Sequence, residues 1–190
     1  MKKILIILGL TIYTWCGIKA QVNQDRVWHF GPEVQQYPTG FLFNLHLSKY
    51  VSSRFAVESR VGYNLVRHGD AGVHDDERGG GWGGSIGAHR ILGTPGREEN
   101  QGWIIGGRCD LWFNKIDWKD RMAMSNEIKG KTEAIVLQPT AFAGYQILLH
   151  DRLFLTPTIA LGAEINIRES GGEVGEGLIL LWGIRFLYGW

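Results

Sequence analysis

Apolar residues recur at every second position along most of this chain. In the last segment, 177–190, Leu178, Leu180, Trp182, Ile184, Phe186, Tyr188 and Trp190 share one parity, while Ile179, Leu181, Gly183, Arg185, Leu187 and Gly189 share the other. A strand sends alternate side chains to opposite faces, so one face here is wholly apolar and aromatic and the other is mixed. One such strand fits a half-buried soluble sheet equally well; recurrence of the pattern discriminates. It does recur. In 54–66, Phe55, Val57, Val61, Tyr63 and Leu65 alternate with Glu58, Arg60, Gly62 and Asn64. In 101–114, Trp103, Ile105, Leu111 and Phe113 alternate with Gly106, Arg108, Asp110 and Asn114, and 152–168 behaves in the same way. Further strands read as 39–48, 81–91 and 132–148, and 26–34 supplies an eighth, weakened by Pro32, which cannot donate to a ladder. A trace of helical period survives only in 117–128.

The connections alternate in character. Those after the even strands, 49–53, 92–100 and 149–151, are mostly tight, although "GTPGREEN" (93–100) is longer than the pattern wants. Those after the odd strands, 35–38, 68–80, 115–131 and 169–176, include the long polar stretches "HGDAGVHDDERGG" and "KIDWKDRMAMSNEIKGK". Short turns at one end and longer loops at the other are the connectivity of a transmembrane barrel, with the short turns on the periplasmic side.

The N-terminus changes the picture in the same direction. Lys2 and Lys3 precede an apolar run, Ile4 to Ile12, and Ala20 precedes a cut at Gln21, so residues 1–20 read as a secretory signal peptide and 21–190 as one barrel domain. Cys16 would make a lipoprotein signal, but Tyr13, Thr14 and Trp15 are too bulky for the small residues that signal uses. Without residues 1–20, three of the 20 Lys+Arg are gone, leaving 17 basic against 19 acidic residues, which excludes a polycation for nucleic acid. Cys109 is then the only cysteine, so no internal disulfide forms. No segment of 21–190 is apolar enough for a membrane helix, so a membrane role has to come from strands.

Charge decides between a soluble and a membrane barrel. Glu33, Glu58, Asp110 and Glu164 share the non-aromatic parity with Arg60, Arg108, Arg168 and Arg185. A secreted, soluble lipocalin-like ligand-binding barrel would hold these eight in water. A transmembrane barrel turns them inward, where a narrow eight-stranded lumen is filled by side chains. An unpaired charge there would cost about 3–5 kcal/mol, and a balanced set avoids that cost. The fold expected is an all-β, closed antiparallel transmembrane β-barrel of about eight strands, with an interior charge network and no open pore.

The run Trp182, Ile184, Phe186, Tyr188, Trp190, ending on an aromatic residue, resembles the C-terminal insertion signal of bacterial outer-membrane barrels. With the leader and the strand count, the mature chain is similar to the small OmpA/OmpX-type barrels and to the Bacteroidetes-type outer-membrane β-barrel group. The resemblance implies an outer-membrane location, contact with outer-membrane lipid and lipopolysaccharide, and delivery by a barrel assembly machinery. It leaves the role structural or carried by the loops, toward a partner outside or in the periplasm, with no cofactor. His46 and Ser48, two apart, with Glu58 across the turn, offer the base, nucleophile and orienting acid of an ester hydrolase, and loosely resemble outer-membrane lipid A deacylases. Their neighbours do not match that motif, and a hydrogen-bond cluster explains them as well. His68, Asp70, His74, Asp75, Asp76 and Glu77 are cation-ligand types at a spacing that matches no site, so no metal is expected. Trp28, Trp82, Trp103, Trp182 and Trp190 read as lipid-facing anchors. Lys115, Lys119, Arg121, Lys129 and Lys131 lie in the 115–131 stretch, read as a surface loop or a short amphipathic helix.

Overall fold

The computed structural model describes residues 28–69, 74–92, 101–121, 127–172 and 175–190; the expected leader, 1–20, lies outside the described residues. Eight strands follow one another: β1 (Trp28–Tyr37), β2 (Gly40–Ser52), β3 (Phe55–Gly69), β4 (Asp76–Leu92), β5 (Gly102–Arg121), β6 (Glu127–His150), β7 (Leu153–Ser170) and β8 (Gly177–Gly189). Each pairs antiparallel with the next, and β8 pairs with β1 to close the barrel. Closure leaves no edge with unpaired backbone groups, which is what a sheet in lipid requires.

Pro32 sits inside β1 and is accommodated. It faces Leu45 on the β2 side, while the ladder to β8 resumes on either side of it, from Phe30↔Tyr188 to Glu33↔Arg185. The seam is finished by reciprocal backbone bonds: Trp28 N donates to Trp190 O (3.0 Å) and Trp190 N to Trp28 O (2.9 Å).

Trp28 and Trp190, the first and last described residues, lie at one rim, here the rim with the termini of the described chain, with the tight turns at 53–54 and 151–152. Asp151 takes a positive φ of 24° in the second of these, a backbone state that Asp tolerates better than most residues. At the opposite rim the sheet runs well past the expected strand ends. The stretch 115–131, expected as a loop or amphipathic helix, is mostly paired ribbon, in register from Lys115↔Glu133 to Arg121↔Glu127. Much of 68–80 is likewise strand, through His68↔Glu77 and Gly69↔Asp76. The outer face of this ribbon is charged, so its composition looks like a loop, while its inner face, where Ile116 and Thr132 are buried, continues the alternation. Its cross-strand ion pairs, Lys115–Glu133 (2.7 Å) and Lys131–Asp117 (3.1 Å), are what identify it.

The surface is inverted relative to a soluble protein. Phe43, Leu45, Val61, Trp82, Ile86, Trp103, Phe113, Ile159, Leu161, Leu180, Trp182 and Phe186 are exposed on the outside. His29, Glu33, His46, Glu58, Arg60, Arg108, Asp110 and Arg185 are buried inside. A soluble lipocalin-like barrel would need the reverse, and this arrangement rules that alternative out. On β4 the outward residues between Arg78 and Arg90 are Gly80, Trp82, Gly84, Ile86 and Ala88. A strand of that length, tilted ~40°, crosses roughly 30 Å, the thickness of a bilayer core.

Glycines on the inner face make room for long side chains. A Cβ on Gly83 would lie 2.4 Å from the Trp112 ring, and one on Gly87 would lie 2.7 Å from Cβ of Arg108. Trp112 is therefore an inward tryptophan, fully buried, with its Nε1 donating to Gln138 Oε1 at 3.0 Å.

Candidate functional site

Three carboxylates and three guanidinium groups meet in the middle of the lumen. Glu33 on β1 and Arg185 on β8 are direct cross-strand partners at the seam. Glu33 Oε1 lies 3.1 Å from Arg60 Nη1, 3.3 Å from Arg185 Nε and 3.9 Å from Arg108 Nη1. These are charge contacts rather than aligned hydrogen bonds, since neither Glu33 oxygen meets hydrogen-bond geometry. Arg185 Nη1 donates to Glu58 Oε2 at 3.2 Å. Arg60 Nη2 donates to Asp110, and Arg108 Nε donates to the other oxygen of Asp110 at 3.2 Å.

Gln35 ties the two arginines together. Its Oε1 accepts from Arg60 Nη1 (2.9 Å) and from Arg108 Nη2 (2.8 Å). Arg60 Nε also donates to Ser85 Oγ at 2.8 Å. The Arg185 guanidinium lies 4.8 Å from the Phe142 ring centre, a desolvated cation–π contact. The side chains of all six charged residues are at most 1% exposed wherever they enter an ion pair. Three negative and three positive charges in one dry space balance without bulk water.

Of the eight residues expected inside, these six converge. Glu164 lies half-buried on the inner face of β7, beside Gln138, and forms no ion pair among the described residues. Arg168 does not face the lumen: it is exposed. The β6–β7 register slips between Ile135↔Arg168 and Val136↔Asn166, so the parity that holds to Glu164 is broken before Arg168.

Toward the rim with the termini, histidines extend the network. His89 Nδ1 lies 2.8 Å from Glu58 Oε2, and Tyr50 Oη lies 3.4 Å from His89 Nε2. His46 Nδ1 is 3.4 Å from Glu33 Oε2. His29 stacks on Phe154 with ring centres 4.5 Å apart. The hydrolase arrangement is not assembled. Ser48 Oγ has no hydrogen bond, His46 faces Glu33, and Glu58 is engaged with His89 and Arg185. Gln35 and His89 are not among the residues expected inside: the expected first strand, 26–34, ends one short of Gln35, and His89, on the inner parity of its strand, carries no signal beyond that parity.

At the opposite rim the ligand types of 68–80 are divided among separate pairs. His68 Nε2 meets Glu77 (2.9 Å), His74 Nδ1 meets Asp120 Oδ2 (2.9 Å), and Arg78 Nε meets Asp76 (3.1 Å). Asp70 lies outside the described residues. The His74 ring stacks on Trp118 with centres 3.9 Å apart and planes 4° from parallel. The hydrogen bond from His74 holds the Asp120 carboxyl below the usual carboxylate range. Trp118 Nε1 donates to Thr132 Oγ1 (3.1 Å), which itself donates to Gly172 O (3.2 Å), so three connections are tied at one point.

On the outside, Trp182, Phe186, Tyr188 and Trp190 project from the barrel, with Ile184 half-buried between them. Trp82 and Trp103 are outward as well, and Trp28 lies under the Lys49 ammonium, 4.5 Å from its ring centre. Cys109 is on the outer face.

No protein-family model matches the sequence, and no curated protein matches it. Solved structures do resemble it. Against the outer membrane protein AlkL, solved in DMPC lipid bilayers, identity is 11% over 91% of this chain and 94% of that one, with a TM-score of 0.52. Against the N-terminal β-barrel domain of Pseudomonas aeruginosa OprF, identity is 12% over 87% of this chain and 100% of that one, with a TM-score of 0.47. Against Ail, the attachment invasion locus protein of Yersinia pestis, the values are 8%, 88%, 100% and 0.49. At such identities the likeness establishes fold alone, and the AlkL match is the one that carries it. Joined to the apolar exterior and the buried charges, it gives this chain the fold of a small eight-stranded transmembrane β-barrel.

Proposed function

We propose that the protein is a sealed barrel: it anchors in the outer membrane, conducts no solute, and works through the hairpins it presents outside the cell. The observation that carries this reading is the lumen network. Glu33, Arg60, Asp110, Arg108, Glu58 and Arg185 fill the cross-section with side chains at most 1% exposed. A hydrated channel would leave such groups in water. The β3–β4 and β5–β6 hairpins are then the interaction surface, toward lipopolysaccharide or an extracellular partner, and the β8 aromatics are the handle for the assembly machinery.

Planar-bilayer recording and liposome swelling test the seal. The expected result is no unitary conductance and no sugar entry from refolded barrel. Stable single-channel steps from the wild-type chain would overturn the reading. Absence of hydrolytic activity belongs to the same proposal. Lipid A mass spectra should be the same for cells carrying the wild-type gene, Ser48→Ala or no gene.

A further inference from the structure

Several outward-facing charges pair at one rim, while a group of cations at the other does not. Away from the termini, Lys115 pairs with Glu133, Lys131 with Asp117 and Arg78 with Asp76. At the rim with the termini, Lys49 on β2, Arg54 in the β2–β3 turn and Arg90 on β4 form no ion pair among the described residues. The tight turns make this the periplasmic rim.

Arg54 and Arg90 adjoin Phe55, and Lys49 stands on the next strand beside Val57, its ammonium lying over Trp28 of β1. Lys49 is the register partner of Val57, Arg90 is the register partner of Phe55, and Arg54 precedes Phe55. Ile91 N donates to Arg54 O at 2.8 Å, which ties the turn to β4. Each strand cation has apolar neighbours on its own face: Leu47 and Val51 flank Lys49, and Ala88 and Leu92 flank Arg90. Arg78 and Arg90 bracket the apolar band of β4, which puts Arg90 at the level of the lipid head groups. The Lys49 ammonium over the Trp28 ring marks the same level, since tryptophan collects there.

We propose that Lys49, Arg54 and Arg90 bind the phosphate of an anionic phospholipid in the periplasmic leaflet, with its acyl chains lying on Val57, Val61 and Ile86. Three cations beside a patch whose flanks are aliphatic suit one ligand with an anionic head and apolar tails. A soluble phosphate would find the cations but leave the patch bare. The site is independent of the lumen, so it stands or falls separately from the sealed-barrel reading.

The test uses the full barrel refolded in mixed phosphatidylcholine and phosphatidylglycerol bilayers. Lipid retained on extraction is read by native mass spectrometry. Wild type should retain phosphatidylglycerol in preference to phosphatidylcholine. The triple variant K49Q/R54Q/R90Q should lose at least about 10-fold of that preference, because each cation near an anionic surface contributes roughly a factor of five and screening takes part of it. The control K115Q/K131Q, at the other rim, should keep the preference. No preference in wild type, an unchanged triple variant, or an equal loss in the control would each overturn the proposal. If the triple variant does not fold, a salt series on wild type decides. Raising ionic strength from 0.1 M to 1 M shortens the screening length from ~10 Å to ~3 Å and should weaken retention. Salt-independent retention would refute a phosphate-directed site. Bilayer conductance should not change in any of these arms.

Discussion

Glu33→Gln is the sharpest probe of the lumen. Gln has nearly the shape of Glu, so the change removes a charge without opening a cavity. In the wild type three buried acids face three buried arginines; in the variant Arg60, Arg108 and Arg185 face only Asp110 and Glu58. Removing one partner of a buried pair costs about 3–5 kcal/mol. The lower end applies, because Arg60 keeps Asp110 and Arg185 keeps Glu58 at 3.2 Å. A loss of ~3 kcal/mol is a factor of more than 100 in the folding equilibrium. The double variant Glu33→Gln, Arg185→Gln restores two against two. Its cost should fall short of the sum of the single costs by ~1–3 kcal/mol, the coupling expected of residues in one network. Urea unfolding in phospholipid vesicles, followed by tryptophan fluorescence and by the heat-modifiable gel shift, reads all three. A single variant within 1 kcal/mol of wild type, or a strictly additive double, would refute the claim that the lumen is held by charge balance.

Three further outcomes follow from other parts of the molecule. Leu161→Arg and Ile184→Arg put a charge on the lipid face and should each cost about 2–4 kcal/mol in the same vesicles; wild-type stability in both would invalidate the inside-out assignment. At the rim of the long hairpins the folded Asp120 carboxyl is held low by His74, so its contribution is present above the ordinary Asp value of ~3.9 and is lost as pH falls through the lowered folded value. The Asp75 amide, bonded to Asp120 Oδ1 at 3.1 Å, should keep its hydrogen-exchange protection at pH ~5 and lose it in strong acid; unchanged protection there would remove the pair's role. Trp190→Ser keeps the backbone bonds to Trp28 and should sharply lower assembled barrel in cells while shifting the urea midpoint little; deletion of Trp190 also removes both seam bonds, at about 0.5–1.5 kcal/mol each, and normal cellular assembly of either variant would sink the insertion-signal role.

Parity carried most of this architecture. A strand in lipid has one invariant demand, apolar outward, so Leu161, Trp182 and Phe186 announce their face whatever their neighbours do. The same parity placed Glu33, Glu58, Arg60, Arg108, Asp110 and Arg185 on the inner face. Arg168 failed because the alternation holds only while the ladder is regular, and the slip at Ile135/Val136 leaves no compositional mark. The hairpins failed for a different reason. Lys115, Asp117, Lys131 and Glu133 face water on a ribbon whose buried inner positions on these strands are only Ile116, Thr132 and Ala134, so the hydrophobic period is short and cross-strand complementarity carries the rest. That signal needs the register, which one sequence does not supply. Gln35 was hidden because a polar residue near a strand end is indistinguishable from the start of a turn until Tyr37 is known to be buried.

The placement of the network relative to the seam links assembly to stability. Glu33 and Arg185 belong to the first and last strands and are opposite one another where these meet. Glu58, Arg60, Arg108 and Asp110 belong to β3 and β5, in the body of the sheet. Before β8 reaches β1, Glu33 lacks Arg185, and Glu58 has only His89 among its partners in the finished barrel. An open sheet would thus carry partly paired charges on the face that must become dry, and it would also carry two unpaired edges. Pairing of β1 with β8 relieves both costs, since the Trp28–Trp190 bonds and the Glu33–Arg185 contact belong to the same seam. A half-closed barrel is therefore disfavoured twice over, by backbone groups exposed to lipid and by charge left unbalanced in the lumen. The polar interior, which adds little to the stability of the closed state compared with an apolar filling, penalises the open one and so favours a cooperative, all-or-none closure.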